Sequence, residues 1–334
     1  MRKGESSRQK TPWSDQEAMT PTQRFLSDQY ESHYQEQHPL LKDTGESELI
    51  NTIVPKTCPY CSEDSFRHYG QTKNGVKRYL CKACERTFTP LTGTIFDGHK
   101  ISISEWMEYC LNLFRYLSVT ADSWNNRNAF TTSRYWLEKL FLILDGYETD
   151  IVLGGRVWFD ETYYTVRAED IKLKPDGSKP RGLSDNQLCV GVACTKNTIL
   201  CMLEGKGQPT ARKAYLAFKD HITPGSTLVH DNGKAHGLLI SSLHLEDEAY
   251  DADEIKKLPD KDNPLSLVNE VHARLKNFLY AHNSFNRDSM QGYLNLFSFA
   301  MNPPSNHLEK VEILLNRAFL TRKTLRYRDF YNVF

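Results

Sequence analysis

Asp160, in Trp158-Phe159-Asp160-Glu161-Thr162-Tyr163-Tyr164, lies in the middle of a segment whose aromatic residues spell a strand. An ionised carboxylate among aromatic neighbours is costly unless a cation or hydrogen bonds compensate it. Strand alternation sends Asp160 and Glu161 to opposite faces, so only one of them can line a given site on the sheet. Asp231 closes a second, shorter run, Leu228-Val229-His230-Asp231-Asn232-Gly233, where a turn presents its side chain. Asn269 and Lys276 stand two helical turns apart in the amphipathic stretch Leu265 to His282 and share a face. If these elements pack together, the two aspartates and the Asn269 amide oxygen form a site for Mg²⁺. There the ions activate an attacking oxygen and stabilise a leaving one, with Lys276 on a phosphate. Taken one at a time, a strand Asp, a turn Asp and a helix Asn are as readily structural.

A second constellation is more specific. Cys58 and Cys61 are separated by two residues, Cys81 and Cys84 likewise, and 19 residues lie between the pairs. Each Cys-x-x-Cys turn aims two thiolates at one point, and four thiolates at ~2.3 Å complete the tetrahedral shell of one structural Zn²⁺. The intervening segment is too small for an apolar core, so the metal supplies its folding energy. Disulfides are the alternative, disfavoured in a reducing compartment. Cys110, Cys189, Cys194 and Cys201 lie in apolar patterns without such spacing and read as core residues.

A ribbon of this kind serves DNA, RNA or protein, so its neighbours decide. Arg67, Lys77, Arg78, Lys82 and Arg86 alternate with Tyr69, Tyr79 and Phe88, a pattern suited to a nucleic-acid surface, or to a solvated basic face over a few core aromatics. Downstream, Ile103 to Leu117 and Thr132 to Leu144 read as helices flanking a loop from Ser118 to Phe130, in which Asn125-Asn126-Arg127-Asn128 is a polar turn. That layout resembles a helix-turn-helix, with Arg127, Thr131, Thr132, Ser133 and Arg134 near the start of the second helix, where they could reach DNA. A plain helical hairpin explains the apolar positions equally well.

The elements that must position these residues fit within 334 residues carrying 39% hydrophobic and 25% charged side chains, enough for about two domains plus small modules. No run approaches the ~20 apolar residues of a membrane span, and the basic start lacks an apolar follow-on, so the expected location is cytoplasmic with no membrane partner. Forty-two cations balance 42 anions, yet residues 51–100 hold 8 Lys/Arg against 4 Asp/Glu and residues 301–334 hold 6 against 3. Local phosphate contacts are therefore compatible with zero net charge. After Gly155 the order is three strands in an antiparallel meander, a helix, a strand, a helix, a short strand and a helix. Residues 1–50 are polar and aperiodic, an arm with disorder or a loosely docked helix.

In combination, CPYC, YLCKACERTFTPLTGTIF, WFDETYY, LVHDNGKAH and VNEVHARLKNFL resemble the insertion-sequence transposases that join an N-terminal zinc ribbon to an RNase H-like catalytic domain, over about residues 55 to 300. The resemblance implies a multidomain α+β protein. It would comprise an arm (1–50), a zinc ribbon (51–95), a helix-turn-helix-like module (96–149), an RNase H-like α/β domain with a mixed sheet (150–300), and a C-terminal helix with a basic tail (301–334). It implies metal-dependent cleavage and transfer of double-stranded DNA at element ends, by a DDE-type enzyme acting as a homodimer or larger assembly. Asp160, Asp231 and Asn269 would hold Mg²⁺, two ions with Mn²⁺ as the substitute, and Lys276 would contact DNA. Many relatives carry Glu at the third position; Asn269, seven before Lys276, matches the Asp-Asp-Asn-Lys branch. Lowering the ligand charge from minus three to minus two weakens metal affinity. The alternative is an inactive or domesticated transposase acting as a DNA-binding regulator; a nuclease that cuts without joining would use the same carboxylates.

Overall fold

The computed structural model describes residues 20–37, 45–99, 101–126, 128–282 and 285–331. Two compact units are present, one built from residues before 144 and after 306, the other from Leu144–Asn306.

In the first unit, α1 (Pro21–Gln37) and α2 (Glu46–Asn51) precede a three-stranded antiparallel sheet of β1 (Phe66–Gln71), β2 (Lys77–Cys81) and β3 (Thr87–Phe88) in that order. Residues 1–19 and 38–44 of the expected arm lie outside the described residues. Glu46 is not loosely docked: its buried carboxylate meets His99 Nε2 at 2.7 Å and accepts the Ile103 amide at 2.8 Å, occupying a free N–H at the start of α3 (Ile103–Phe114).

The stretch between the two expected helices is not all turn. Ser118 Oγ accepts the Ala121 amide and opens a short α4 (Val119–Asn125), leaving residues 126–129 to connect it to α5 (Phe130–Leu144). Fully buried Asp122 ties the three helices together, accepting from Asn112 Nδ2 (2.9 Å), Asn126 Nδ2 (2.8 Å) and Ser133 Oγ (3.0 Å). Trp106 of α3 and Trp136 of α5 stack on each other. The helices His307–Leu320 and Tyr327–Tyr331 return to this unit, where Phe319 packs on Phe96.

The second unit is a mixed five-stranded sheet: β4 (Arg156–Thr165), β5 (Gln187–Cys194), β6 (Ile199–Lys206), β7 (Thr227–His230) and β8 (Glu246–Ala249), ordered β6-β5-β4-β7-β8. β4, β5 and β6 form the expected antiparallel meander, while β7 runs parallel to both β4 and β8. Parallel neighbours need crossovers, supplied by α6 (Ala211–Phe218) and α7 (Gly237–Leu243). These helices cover one face, where Val157, Phe159, Leu228, Phe218 and Leu239 form a fully buried core. Each such large apolar side chain is worth about 1.5–3 kcal/mol. After α8 (Ala252–Ile255), α9 (Ser266–Ala281) and α10 (Met290–Met301) cover the other face; Pro264, just before α9, accepts the Trp158 indole N–H at 2.9 Å, and Ser298 on α10 accepts the Cys201 amide. Gly191 on β5 is required by space: a Cβ there would lie 2.4 Å from Glu204 Oε1 and 2.5 Å from the Phe218 ring.

Candidate active site

Asp160 and Asp231 reach the same place because β4 and β7 are parallel and in register. Trp158 is level with Val229, and continuing the ladder sets Asp160 beside Asp231, the first residue past β7. Asp231 is pinned by its turn. Asn232 adopts a left-handed conformation (φ 61°), and the Gly233 amide donates to Asp231 Oδ1 at 3.1 Å. Gly233 is small for cause, since a Cβ there would come within 3.0 Å of both Asp231 Oδ1 and the His236 ring. The Asp160 carboxylate accepts the Glu161 amide at 2.8 Å. Burial, and then the Asp231 carboxylate beside it, pushes Asp160 up to about 7. A carboxylate whose ionisation is opposed first by burial and then by a second carboxylate marks a place that a cation would relieve.

The helix α9 brings a histidine to this pair. His272 Nδ1 lies 3.7 Å from Asp160 Oδ2, and the imidazole, which burial and the nearby Lys276 ammonium push down to about 4, is neutral. Lys276 is one helical turn beyond His272 and exposed; Asn269, one turn before it, is exposed and makes no side-chain hydrogen bond among the described residues. Glu270 turns away, paired with Arg274 on another face. The sheet face expected for Asp160 is thus shared with the helix carrying Asn269 and Lys276, and the group on that helix that meets Asp160 is His272.

On the opposite face, Glu161 begins a chain of polar groups that runs through two buried histidines to an exposed carboxylate. His236 Nε2 meets Glu161 Oε1 at 3.1 Å, His236 Nδ1 meets His230 Nδ1 at 2.8 Å, and His230 Nε2 meets Asp247 Oδ1 at 2.9 Å. Burial works against charge on His236, but Glu161 outweighs it and raises that imidazole; burial lowers His230. One proton between the two Nδ1 atoms satisfies all four groups, which makes the histidine pair a cation held between two carboxylates. His230, Asp231 and His236 also present ligand atoms within 4.8 Å of one another. The sequence reading passed over all three histidines. His272 was accessible to it through helical spacing from Asn269 and Lys276; the His230–His236 pair was not, because it spans a turn of irregular geometry.

The four cysteines of the first unit converge. Cys58 and Cys84 sulfurs are 3.7 Å apart, Cys61 and Cys81 sulfurs 3.6 Å, and all four lie within one metal-sized cluster. The Cys84 backbone amide draws the Cys81 thiol down to about 7, while Cys61, with the Glu63 backbone pulling it down, is pushed up to about 12 by burial and the neighbouring sulfurs. Nearby, exposed Tyr69 carries the Arg67 and Arg78 guanidinium groups at 5.6 and 5.3 Å, and Arg86 lies 5.1 Å over Tyr60. Lys82 is exposed, whereas Lys77 spends its ammonium on the Asn51 carbonyl. Of the helical candidates, Ser133 is buried on Asp122 and Arg134 packs over Phe330 at 5.9 Å; Arg127 lies outside the described residues.

Among the described residues no helix is long and apolar enough to cross a membrane. No protein-family model matches the chain. Over 49 residues it is 41% identical to an uncharacterized protein in transposable element ISH50 of Halobacterium salinarum; the match spans 15% of this chain and only 16% of that protein. Across 63% of this chain and 75% of the other, it is similar to a chain in the crystal structure of a pre-cleavage Mos1 transpososome, at 12% identity and a TM-score of 0.26, an overlap that does not establish a common fold.

Proposed function

We propose that the chain is the transposase of a mobile DNA element, which binds element ends and catalyses metal-dependent strand cleavage and strand transfer. The observation that carries this reading is the parallel register of β4 and β7, which sets Asp160, midway along β4, beside Asp231, just past the end of β7, with His272 of α9 3.7 Å from the Asp160 carboxylate. The matched segment of the ISH50 protein agrees with it in kind. Asp160, Asp231 and Asn269 would hold Mg²⁺ or Mn²⁺, and the mutual repulsion of the two carboxylates is the feature that fits a cation there. When bound, such an ion supplies Lewis acidity to the attacking and leaving oxygens of a phosphodiester. Lys276, exposed at the rim, neutralises a phosphate oxygen and holds the scissile group against the carboxylates. Water opens the phosphodiester and leaves a 3′-hydroxyl; that hydroxyl then attacks a target phosphodiester, whose own 3′-oxygen departs with the proton. Joining two ends in one reaction calls for a dimer or larger assembly.

The zinc ribbon of the first unit supplies the end-binding surface in this reading, with Tyr69 and its two arginines stacking on or beside the nucleic acid. One observation favours a second reading, a DNA-binding regulator descended from such an enzyme: Asn269 is a neutral, solvent-exposed amide where a third carboxylate would bind metal more tightly. A gel assay separates the two. Labelled double-stranded DNA from the chain's own genomic flank is incubated with protein and Mg²⁺ or Mn²⁺, beside Asp231→Ala. Cleaved and joined product lost in the variant supports the enzyme; binding without product in either ion supports the regulator.

A further inference from the structure

We infer that His230, Asp231 and His236 hold a divalent transition-metal ion, through the Nδ1 atoms of the two imidazoles and a carboxylate oxygen. The site goes beyond the reaction proposed above and shares only Asp231 with it. All three ligands come from seven consecutive residues, at the end of β7 and in the single tight helical turn Lys234–His236 that follows. One ligand atom from each lies within 4.8 Å of the others. The His230 and His236 rings are 2% and 0% exposed, and half-buried Asp231 is the ligand that solvent reaches.

The outer nitrogens of both rings are already occupied. His230 Nε2 meets Asp247 Oδ1 at 2.9 Å and His236 Nε2 meets Glu161 Oε1 at 3.1 Å. An ionised carboxylate only accepts, so each ring carries a hydrogen on Nε2 and a neutral ring turns the Nδ1 lone pair inward. The two Nδ1 atoms stand 2.8 Å apart, and a pair of facing lone pairs needs a positive centre between them, a proton or a metal ion. Asp231 favours the metal, because a third donor converging on the same place adds nothing to a proton shared by two nitrogens and completes part of a metal's shell. Carboxylate, imidazole and ion in series is also the arrangement that orients metal-binding histidines, since the carboxylate fixes the tautomer and makes the inner nitrogen a stronger donor. Phe159 meets the His236 ring edge-on at 4.8 Å, and a Cβ at Gly233 would come within 3.0 Å of the same ring, so the surroundings hold the imidazole in place.

The ligand set also chooses among ions. Two imidazoles beside one carboxylate suit divalent transition metals, whereas Mg²⁺ and Ca²⁺ take oxygen. With metal–nitrogen bonds of about 2.1 Å, nitrogens 2.8 Å apart subtend about 85°, close to the right angle of six-coordination and far from the tetrahedral angle. Zinc therefore belongs with the four thiolates, and this site takes a six-coordinate ion of the Mn²⁺ to Ni²⁺ series.

The test is proton NMR of Co²⁺ added to the full-length, zinc-loaded protein, with no DNA and no turnover. Each imidazole bound to Co²⁺ through one nitrogen shows the N–H of the other as a strongly shifted signal that vanishes in D₂O, so two such signals are expected, unchanged in Asp160→Asn and absent in Asp231→Ala and His236→Gln. Asp247→Asn replaces an exposed side chain and leaves the buried rings untouched; it should keep both signals and weaken Co²⁺ binding about tenfold, the lower end of what a carboxylate behind a metal-binding histidine is worth. Alkylation protection of Cys189, Cys194 and Cys201 certifies the fold of each variant. Co²⁺ binding that needs Asp160 and Asp231 but shows no shifted imidazole N–H, or an affinity unchanged in Asp247→Asn, overturns the inference and leaves the carboxylate pair standing. Failure of Co²⁺ to bind outside the thiolate cluster also overturns it, while the gel assay in Mg²⁺ or Mn²⁺ decides the proposed reaction separately.

Discussion

Asp160→Asn should stabilise the metal-free second unit, by an amount that grows with pH. In the folded chain the carboxyl is raised from 3.8 to about 7, first by burial and then by Asp231. The folded state therefore holds its proton where the unfolded state has lost it, and stability present below pH 3.8 drains away as pH rises through about 7. A shift of roughly three units corresponds to a ceiling of about 4 kcal/mol above pH 7. The side chain is 23% exposed, so water relieves part of that. The neutral isostere can still accept the Glu161 amide. Allowing for the relief, the expected gain is about 2–3 kcal/mol at pH 8 and about 1 kcal/mol at pH 5. The assay is urea-dependent alkylation of Cys189, Cys194 and Cys201, all buried in β5 and β6 of this unit, read by mass spectrometry in buffers free of added divalent metal. A variant less stable than wild type at pH 8, or a gain equal at both pH values, refutes the electrostatic account of the site.

Four further outcomes follow from the same structure. Metal affinity at the carboxylate pair should climb as pH rises toward about 7 and flatten above it, because Asp160 must release a proton to bind; titration calorimetry in two buffers of different ionisation heat reads that proton directly. Asp122→Ala should cost the first unit about 3–5 kcal/mol, since Asn112, Asn126 and Ser133 all donate to one buried carboxylate; denaturant unfolding followed by Cys110 alkylation measures it. Metal analysis should find one zinc per chain, lost in Cys81→Ser together with the ordered amides of β1 to β3. Arg78→Ala should weaken DNA binding and lower the salt slope by about one, and Tyr69→Ala should weaken it with the slope kept; fluorescence anisotropy across salt concentrations distinguishes them.

How much was legible in the residues varies with the range of the force involved. Alternation along β4 is local, so the sequence alone separated Asp160 from Glu161, and in the structure they do meet groups on opposite faces, His272 and His236. The Cys-x-x-Cys pairs were equally plain, because each turn's geometry is set within four residues. Ser118 was read as loop although it caps α4; seven helical residues carry too few apolar positions for a period to emerge.

The sequence by itself determined the strands, the amphipathic helix and the residue types able to bind metal, because side-chain period and turn chemistry are written over a few neighbouring positions. Only the tertiary structure decided which of them meet. The parallel register of β4 and β7 sets Asp231 beside Asp160, and the seat of α9 on that sheet face brings His272 against the carboxylate while Asn269 stays in solvent. The turn after β7 folds His236 back onto His230 and Glu161, burying charges that no local rule would bury. Apart from the His230–His236 contact across its own turn, those outcomes depend on packing between segments about 70 to 110 residues apart in the chain, where the energy lies in complementary surfaces and compensated charges rather than in any short pattern.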